Sequence, residues 1–205
     1  MTIHEINDAL YNFTEANPDF HLDLIGFDAC LMATYEAAAH MQYYADFMVA
    51  SEELEPSLGW NYAWLNALGE NPALDAQGIG VAIADAYMEA CMDENPDDYL
   101  SMSVLYLPAM DYLVSTMETY ASYLSQALDA GQLSTFSRAR QRMYAFGDFD
   151  SATSDMVDMM ALLDGTRTIA PQTADVLQTA YERVVRYNVL SLIHISEPTR
   201  QAEIS

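Results

Sequence analysis

The stretch LDLIGFDACLMATYEAAA, residues 22–39, decides the fold. Its apolar beginning, from Leu22 to Phe27, is short and is bounded by turn residues, which predicts a buried β-strand. Asp28 and Cys30 follow this strand, and the small residues from 31 to 44 predict a helix. A thiol at a helix N-terminus lies near free backbone N–H groups and the positive end of the helix dipole, which favour thiolate. Thiolate is the nucleophilic form of cysteine, so Cys30 is a candidate for covalent catalysis.

The same position of Cys30 also fits a structural role. A free cysteine is among the residue types most often buried in protein cores, where it only packs. Asp28 disfavours a second negative charge close to it, so it does not help a thiolate to form. We interpret Asp28 either as the N-cap of the following helix or as a carboxylate that binds a cationic substrate. The residues alone leave these alternatives open.

Further apolar runs predict a larger sheet around this strand. The segments 46–51 and 99–107 predict two more buried strands, and helices are predicted at 2–16, 74–92 and 109–130. Alternation of strands with helices predicts an α/β fold in which helices cover a mostly parallel sheet.

Two polar segments fall where predicted strands end. Asp28 and Cys30 follow the first strand, and Ser51 and Glu52 close the second. Sites in open parallel sheets form beyond the carboxyl ends of the strands. We therefore expect these side chains to share one crevice.

The chain changes character after Gly131. Residues 1–131 carry the predicted strands, whereas residues 132–189 are rich in helix and loop patterns, including a predicted helix at 173–187. We therefore predict a sheet domain over 1–131 and an incomplete helical appendage over 132–189.

The last residues differ in composition from the alanine- and methionine-rich chain before them. LSLIHISEPTR, residues 190–200, matches the translation of a transposase sequencing adapter, and the index and bases that follow it predict the final Ile204 and Ser205. We interpret residues 190–205 as a non-native tail and exclude them from fold reasoning. A natural amphipathic tail is the alternative.

The charge of the chain excludes some partners. There are 31 acidic and 7 basic residues, all 7 of them arginine, and the net charge is −24. Nucleic acid binding needs a basic surface, so it is not expected. No apolar run reaches the ~18–20 residues of a membrane span. The acidic surface either attracts cationic ligands or serves solubility.

Two segments resemble one family of enzymes. DLIGFDACLMATYEAA, residues 23–38, and YADFMVASEELEPSLGWNY, residues 44–62, resemble the nucleophile strand and the following strand and loop of clostripain-type cysteine peptidases. Weaker similarity includes FGDFDSATSDMVDMM, residues 146–160. The resemblance implies part of a caspase-like fold, a three-layer α/β sandwich.

The resemblance also implies roles for the candidate residues. Cys30 would be the nucleophile of a Cys–His dyad. Asp28 matches the pocket for the substrate residue before the scissile bond, which implies a preference for Arg or Lys. Ser51, Glu52 and Trp60 would edge the same cleft. The family further implies a bacterial protein that is secreted or held in the cell envelope, with calcium as a possible cofactor and no other.

The histidines depart from the family pattern. In the family, the dyad histidine ends an earlier strand in a His-Gly motif, and this chain contains no His-Gly. His21 lies at the opposite end of the Cys30 strand, and His40 lies ten residues along the chain. His4 opens the first predicted helix, where we expect a cap or a surface residue. A general base must reach hydrogen-bonding distance of its nucleophile, and none of these is placed to do so.

We therefore expect a piece of a cysteine endopeptidase that begins after the histidine-bearing strand. Such a piece would be inactive alone, and its substrates would be peptides or proteins with basic residues. The alternative is a non-catalytic acidic α/β domain that binds basic peptides or proteins and in which Cys30 only packs.

Overall fold

A four-stranded sheet with helices on both faces forms the body of the protein. The computed structural model describes residues 2–94, 99–147 and 156–191. The strands are β1 (Leu22–Gly26), β2 (Ala45–Ala50), β3 (Ser101–Tyr106) and β4 (Val185–Leu190). The α-helices within these residues are α1 (Ile3–Ala16), α2 (Tyr35–Met41), α3 (Leu65–Glu70), α4 (Ala76–Glu94), α5 (Met110–Ala127), α6 (Leu133–Arg140), α7 (Met159–Thr166) and α8 (Pro171–Val184).

The strands lie in the order β1-β2-β3-β4, and their directions are mixed. β1 pairs with β2 in parallel, whereas β3 is antiparallel to both of its neighbours. The α/β class is confirmed, but the expected parallel direction of the third strand is wrong. β3 begins at the same end of the sheet at which β2 finishes, because Ala50 at the end of β2 pairs with Ser103 near the start of β3. Alternation of strands and helices does not determine at which edge a strand re-enters.

Side chains from the two faces of the sheet enter separate apolar clusters. Met48 and Leu105 pack in the larger cluster, which includes side chains of α2, α5 and α8. Val49 and Val104 face the other side, where they pack with Ile83 of α4. Successive residues of a strand point to opposite faces, so each strand serves both clusters. The result is a three-layer arrangement of helices, sheet and helices.

The fourth strand differs from the sequence prediction, which continued a helix to residue 187. The helix α8 ends at Val184, and Val185–Leu190 pairs with β3. Val184 and Val185 are β-branched and suit a strand, and the free edge of β3 provides the partner. This pairing adds residues after Gly131 to the sheet, rather than helix and loop alone.

The adapter-like segment overlaps the end of this strand. Leu190 pairs with Ser101, and the Ser191 N–H donates to the Leu100 carbonyl at 2.9 Å. The other residues of that segment, 192–205, lie outside the described residues, so its interpretation as a non-native tail stays a prediction. In the described ranges, no helix is both long and apolar enough to cross a bilayer.

Leu177→Ala should lower the free energy of unfolding by about 2–5 kcal/mol, because Leu177 of α8 is fully buried in the cluster that contains Met48. Its neighbour Val176 is 47% exposed, and Val176→Ala is the matched control with an expected change of about 0.5 kcal/mol or less. Urea unfolding is followed by the fluorescence of Trp60 and Trp64, which lie outside α8. An unchanged midpoint for L177A would contradict a core shared between α8 and the sheet.

Candidate active site

Cys30 lies in a turn and not at the start of a helix. β1 ends at Gly26, and α2 begins at Tyr35 with Thr34 as its N-cap, whose hydroxyl accepts from the Ala37 N–H at 3.1 Å. The helix predicted from residue 31 therefore starts four residues later. We call residues 28–33 the Cys30 turn. Cys30 therefore lies five residues before α2, and the expected contact of its thiol with a helix N-terminus is wrong.

Backbone hydrogen bonds attach the Cys30 turn to the loop after β2, residues 51–60, which we call the β2 loop. The Leu31 N–H donates to the Glu53 carbonyl at 3.1 Å, and the Ala33 N–H donates to the Ser51 carbonyl at 2.9 Å. Leu31 has a φ of 60°, in the left-handed region that residues with a side chain rarely adopt. Such a backbone costs on the order of 1–3 kcal/mol and persists only where its surroundings hold it.

The thiol of Cys30 is accessible and contacts the backbone of the β2 loop. Cys30 is exposed, and its sulfur accepts a hydrogen bond from the Glu55 N–H at 3.2 Å. The thiol can also donate to the Glu55 carbonyl, at 3.8 Å. Cys91 in α4 is 2% exposed and packs in the core. The chain thus has one exposed thiol and one buried thiol.

Asp28 holds the far end of the β2 loop. Each of its carboxylate oxygens accepts from the Trp60 N–H, at 3.2 Å. The N-cap interpretation of Asp28 is wrong, because Thr34 caps α2. Gly59 precedes this contact with a φ of 69°, and a Cβ on it would lie 3.3 Å from an Asp28 oxygen. Glycine at position 59 therefore allows the loop to approach Asp28.

Trp60 covers the end of β1. A Cβ built on Gly26 would lie 2.8 Å from Cη2 of the indole ring, so only glycine leaves room for the ring. The ring packs against the apolar clusters on the α4 face of the sheet. The structure thus brings Asp28, Cys30 and Trp60 to one place.

Ser51 and Glu52 contact residues of β3 and β4, and their assignment to the edge of the cleft stays a prediction. Ser51 is fully buried, and its hydroxyl lies 3.3 Å from the Ser101 hydroxyl. The Glu52 carboxylate accepts hydrogen bonds from Ser103 and from Asn188, and burial raises its pKa. The sequence places both residues correctly after β2, and their side chains contact Ser101 and Ser103 of β3.

Glu55 belongs to the site, although no sequence pattern singles it out. Both of its carboxylate oxygens are buried, and their polar neighbours are the Asp28 carboxyl group and the Ala29 backbone. Burial, followed by the charge of Asp28, raises the pKa of Glu55 to about 7. The buried indole N–H of Trp60 also neighbours this carboxylate. Two neighbouring carboxyl groups without a cation form a site that a cation would stabilise.

The histidines of the described residues have other surroundings. The rings of His4 and His40 meet edge to face with centroids 5.6 Å apart, which places His4 against α2. His21 lies 3.1 Å from Asp46 at the amino ends of β1 and β2. Within the described ranges, no imidazole is brought to the sulfur of Cys30.

No metal centre accompanies the thiol in the part of the chain that the structure describes. No three His, Cys, Asp or Glu side chains in those residues are close enough together to hold a metal ion. The described carboxylates therefore do not fit a calcium site, and calcium stays a prediction of the resemblance alone.

An accessible thiol beside acidic side chains, at the carboxyl edge of a three-layer α/β sheet, is consistent with the cysteine peptidase fold that the sequence resemblance implies. The comparison with protein families agrees, since the model of the clostripain family matches residues 1–197. The chain belongs to the clostripain family. No curated protein matches the chain.

Solved structures of the same family share the fold. A secreted C11 cysteine protease from Bacteroides thetaiotaomicron, in complex with an irreversible peptide inhibitor, has a TM-score of 0.66 and 20% identity over 93% of this chain and 49% of its own. An inactive zymogen C11 protease from Parabacteroides distasonis has a TM-score of 0.62 and 18% identity over 88% of this chain and 48% of its own.

A clostripain from Bacteroides thetaiotaomicron, in complex with the peptide inhibitor BTN-VLTK-AOMK, has a TM-score of 0.62 and 13% identity over 93% of this chain and 75% of its own. The chain therefore spans about half the length of two of these solved proteins and three quarters of the third. Likeness at these identities concerns the fold alone.

Gly59→Ala should lower the free energy of unfolding by about 1–2 kcal/mol, because alanine is strained at a positive φ and its Cβ would crowd Asp28. Gly69→Ala is the matched control. Gly69 lies in α3 with nothing within 4 Å of an added Cβ, so alanine should raise stability by about 0.4–1 kcal/mol. Urea unfolding measures both, and equal effects of the two substitutions would contradict the loop geometry.

Proposed function

We propose that the chain carries the nucleophile and the substrate pocket of a cysteine endopeptidase that cleaves after Arg or Lys. One observation carries the proposal. The exposed sulfur of Cys30 contacts the β2 loop at the backbone of Glu55, and the buried carboxylate of Glu55 neighbours Asp28. In the chemical step the thiolate of Cys30 attacks the carbonyl carbon of the scissile bond, and backbone N–H groups near Cys30 stabilise the oxyanion. The C–N bond then breaks, which leaves a thioester on Cys30, and the departing amine takes the proton that the general base received from the thiol.

The basic preference follows from the charges beside Cys30. None of the ion pairs found within the described residues involves Asp28 or Glu55. A guanidinium or ammonium group placed between them would neutralise two carboxylates, one of which is desolvated. Trp60 would form an apolar wall for the methylene groups of the same side chain. The inhibitor of the solved clostripain, BTN-VLTK-AOMK, has a peptide part whose letters end in lysine, which supports this preference.

The general base is the part of the mechanism that the described residues do not provide. An imidazole must come within hydrogen-bonding distance of the Cys30 sulfur to take its proton. We propose that this imidazole comes from a segment outside the described residues and that residues 1–205 have no turnover alone. The secreted neighbour supports a bacterial protein that acts outside the cytoplasm or in the cell envelope.

A non-catalytic acidic domain that binds basic peptides is the second candidate. The position of His4 and His40 favours it, because these imidazoles pair with each other rather than with Cys30. Both candidates use Asp28 and Glu55 to bind a cation, but only the peptidase requires a reactive thiol beside the bound peptide.

A peptide that ends in an arginyl chloromethyl ketone should alkylate Cys30 faster than a neutral analogue does. Asp28→Asn should reduce this preference about tenfold or more, the size expected for one lost charge-assisted interaction. Labelled peptides are located by mass spectrometry. Cys30→Ala should abolish the label, and Cys91→Ala should leave it unchanged.

Two outcomes distinguish the proposals. Binding of a free arginine-containing peptide, without any labelling of Cys30 by the arginyl ketone, would favour the binding domain. Hydrolysis of an arginyl peptide amide by the purified chain would contradict the proposed need for an imidazole from elsewhere.

The arginyl preference should depend on pH because of Glu55, whose pKa is about 7. Below pH 7 this carboxyl group is mostly neutral and binds a guanidinium weakly, and above pH 7 it is mostly anionic. The ratio of labelling rates for arginyl ketone and iodoacetamide should therefore rise between about pH 5.5 and 8.5. The thiolate fraction of Cys30 cancels in this ratio, because it affects the labelling rates of both reagents equally. Glu55→Gln should flatten the profile, and a profile unchanged by this substitution would contradict the assignment.

A further inference from the structure

Glu53 joins three parts of the protein that meet behind Cys30. It lies in the β2 loop with only 8% of its surface exposed, and it bonds to the Cys30 turn and to residues 144–147. We propose that Glu53 is a positioning residue, which holds the Cys30 turn against residues 144–147 and so fixes the direction of the thiol. The proposal rests on the proposed function only in taking Cys30 as the nucleophile.

The carboxylate of Glu53 is bonded on both oxygens. Oε1 accepts from the Tyr144 hydroxyl at 2.6 Å, and Oε2 accepts from the Gly147 N–H at 3.2 Å. Oε2 also accepts from the N–H of Leu54 at 3.3 Å. Burial and the bond to Glu53 raise the pKa of Tyr144, so its hydroxyl remains a donor at neutral pH. The Glu53 carboxylate is thus occupied by donors of the protein itself.

The backbone of Glu53 is fixed to the sheet. Its N–H donates to the hydroxyls of Ser51 at 3.0 Å and Ser101 at 3.1 Å. Its carbonyl accepts from the Ser51 hydroxyl at 3.1 Å and from the Leu31 N–H at 3.1 Å. Ser101 is the first residue of β3, so the backbone of Glu53 links this central strand to Leu31, the residue that follows Cys30.

The side chain of Leu31 meets the segment that Glu53 holds. Gly147 has a φ of 79°, and a Cβ on it would lie 3.1 Å from both methyl groups of Leu31. Leu31 itself has the unfavourable φ of 60°. Its strained backbone is thus held on one side by the Glu53 carbonyl and on the other by Gly147, which the Glu53 carboxylate fixes. Release of this carboxylate should let the Cys30 turn relax while the sheet stays intact.

The first test measures amide hydrogen exchange in the full chain. Tyr144→Phe removes one hydrogen bond to the carboxylate, and Glu53→Gln leaves only one acceptor oxygen for three donors. Each should accelerate exchange of the Leu31 N–H about tenfold, the size expected for the loss of a hydrogen bond to a charged group. The Leu22 N–H, which bonds to Tyr44 at 2.9 Å between β1 and β2, should exchange at the wild-type rate.

Matched controls use the same substitutions on exposed residues. Tyr123→Phe on α5 and Glu89→Gln on α4 should change neither amide, because both side chains are exposed. Unchanged exchange at Leu31 in both Tyr144→Phe and Glu53→Gln would overturn the proposal. Equal acceleration at Leu31 and Leu22 would also overturn it, since Glu53 would then only support global stability. If Glu53→Gln does not fold, the milder Tyr144→Phe decides.

The second test asks whether the turn controls the reaction at Cys30. In Tyr144→Phe, the rate of labelling by the arginyl ketone should fall about tenfold while iodoacetamide, which needs no positioning, labels Cys30 at the wild-type rate. An equal fall for both reagents would contradict positioning. If the arginyl ketone shows no preference even for wild-type protein, the proposed function fails, whereas exchange at Leu31 still decides the role of Glu53.

Discussion

The parallel pairing of β1 with β2 is the constraint on which the candidate site depends. It brings Gly26 opposite Val49, so both strands end at the same edge and the segments after them run side by side. Two irregular segments in contact can satisfy each other's backbone groups, as the Leu31 and Ala33 N–H groups do with the β2 loop. An antiparallel pair would send the two segments to opposite edges. The Cys30 turn would then lose the partner that holds it.

Electrostatics at this edge oppose the native state in the absence of a partner. Asp28 and Glu55 are both acidic, and the burial of Glu55 carries a desolvation cost that no cation among the described residues offsets. Uncompensated charge is common where a protein must bind an opposite charge. By contrast, Glu53 is fully paired with donors inside the protein, so two nearby glutamates of one loop have different surroundings. The partners of the carboxylate oxygens, rather than residue type, separate them.

The sequence predicts the β1 strand and the position of Cys30 after it, because a short apolar run bounded by turn residues has few other interpretations. It also predicts that Cys91 packs in α4, since small and apolar residues surround it. Ser51 and Glu52 could be placed at the end of β2, but the direction of their side chains depends on the pleat and on contacts with β3. Glu55 was missed for the same reason: a loop has no periodicity from which burial can be read.

The sequence predicts the start of α2 too early and does not predict β4. Both errors arise from contacts between residues that are distant along the chain. The residues after Cys30 have good helix propensity, but hydrogen bonds to the β2 loop hold them in a turn until Thr34. Residues 185–187 continue a helical pattern, and the edge of β3 draws them into the sheet instead. Propensity and periodicity describe neighbours along the chain, so tertiary hydrogen bonds override them at both positions.

The place of β1 at the border of the described sheet has a consequence for association. A border strand carries backbone N–H and C=O groups that can pair with an additional strand, which makes it a route to aggregation. β1 has one charged side chain, Asp23, and it is exposed. Two copies of β1 brought together would oppose these negative charges, so Asp23 works against self-association of the protein at this border, while a neutral or basic strand meets no such repulsion.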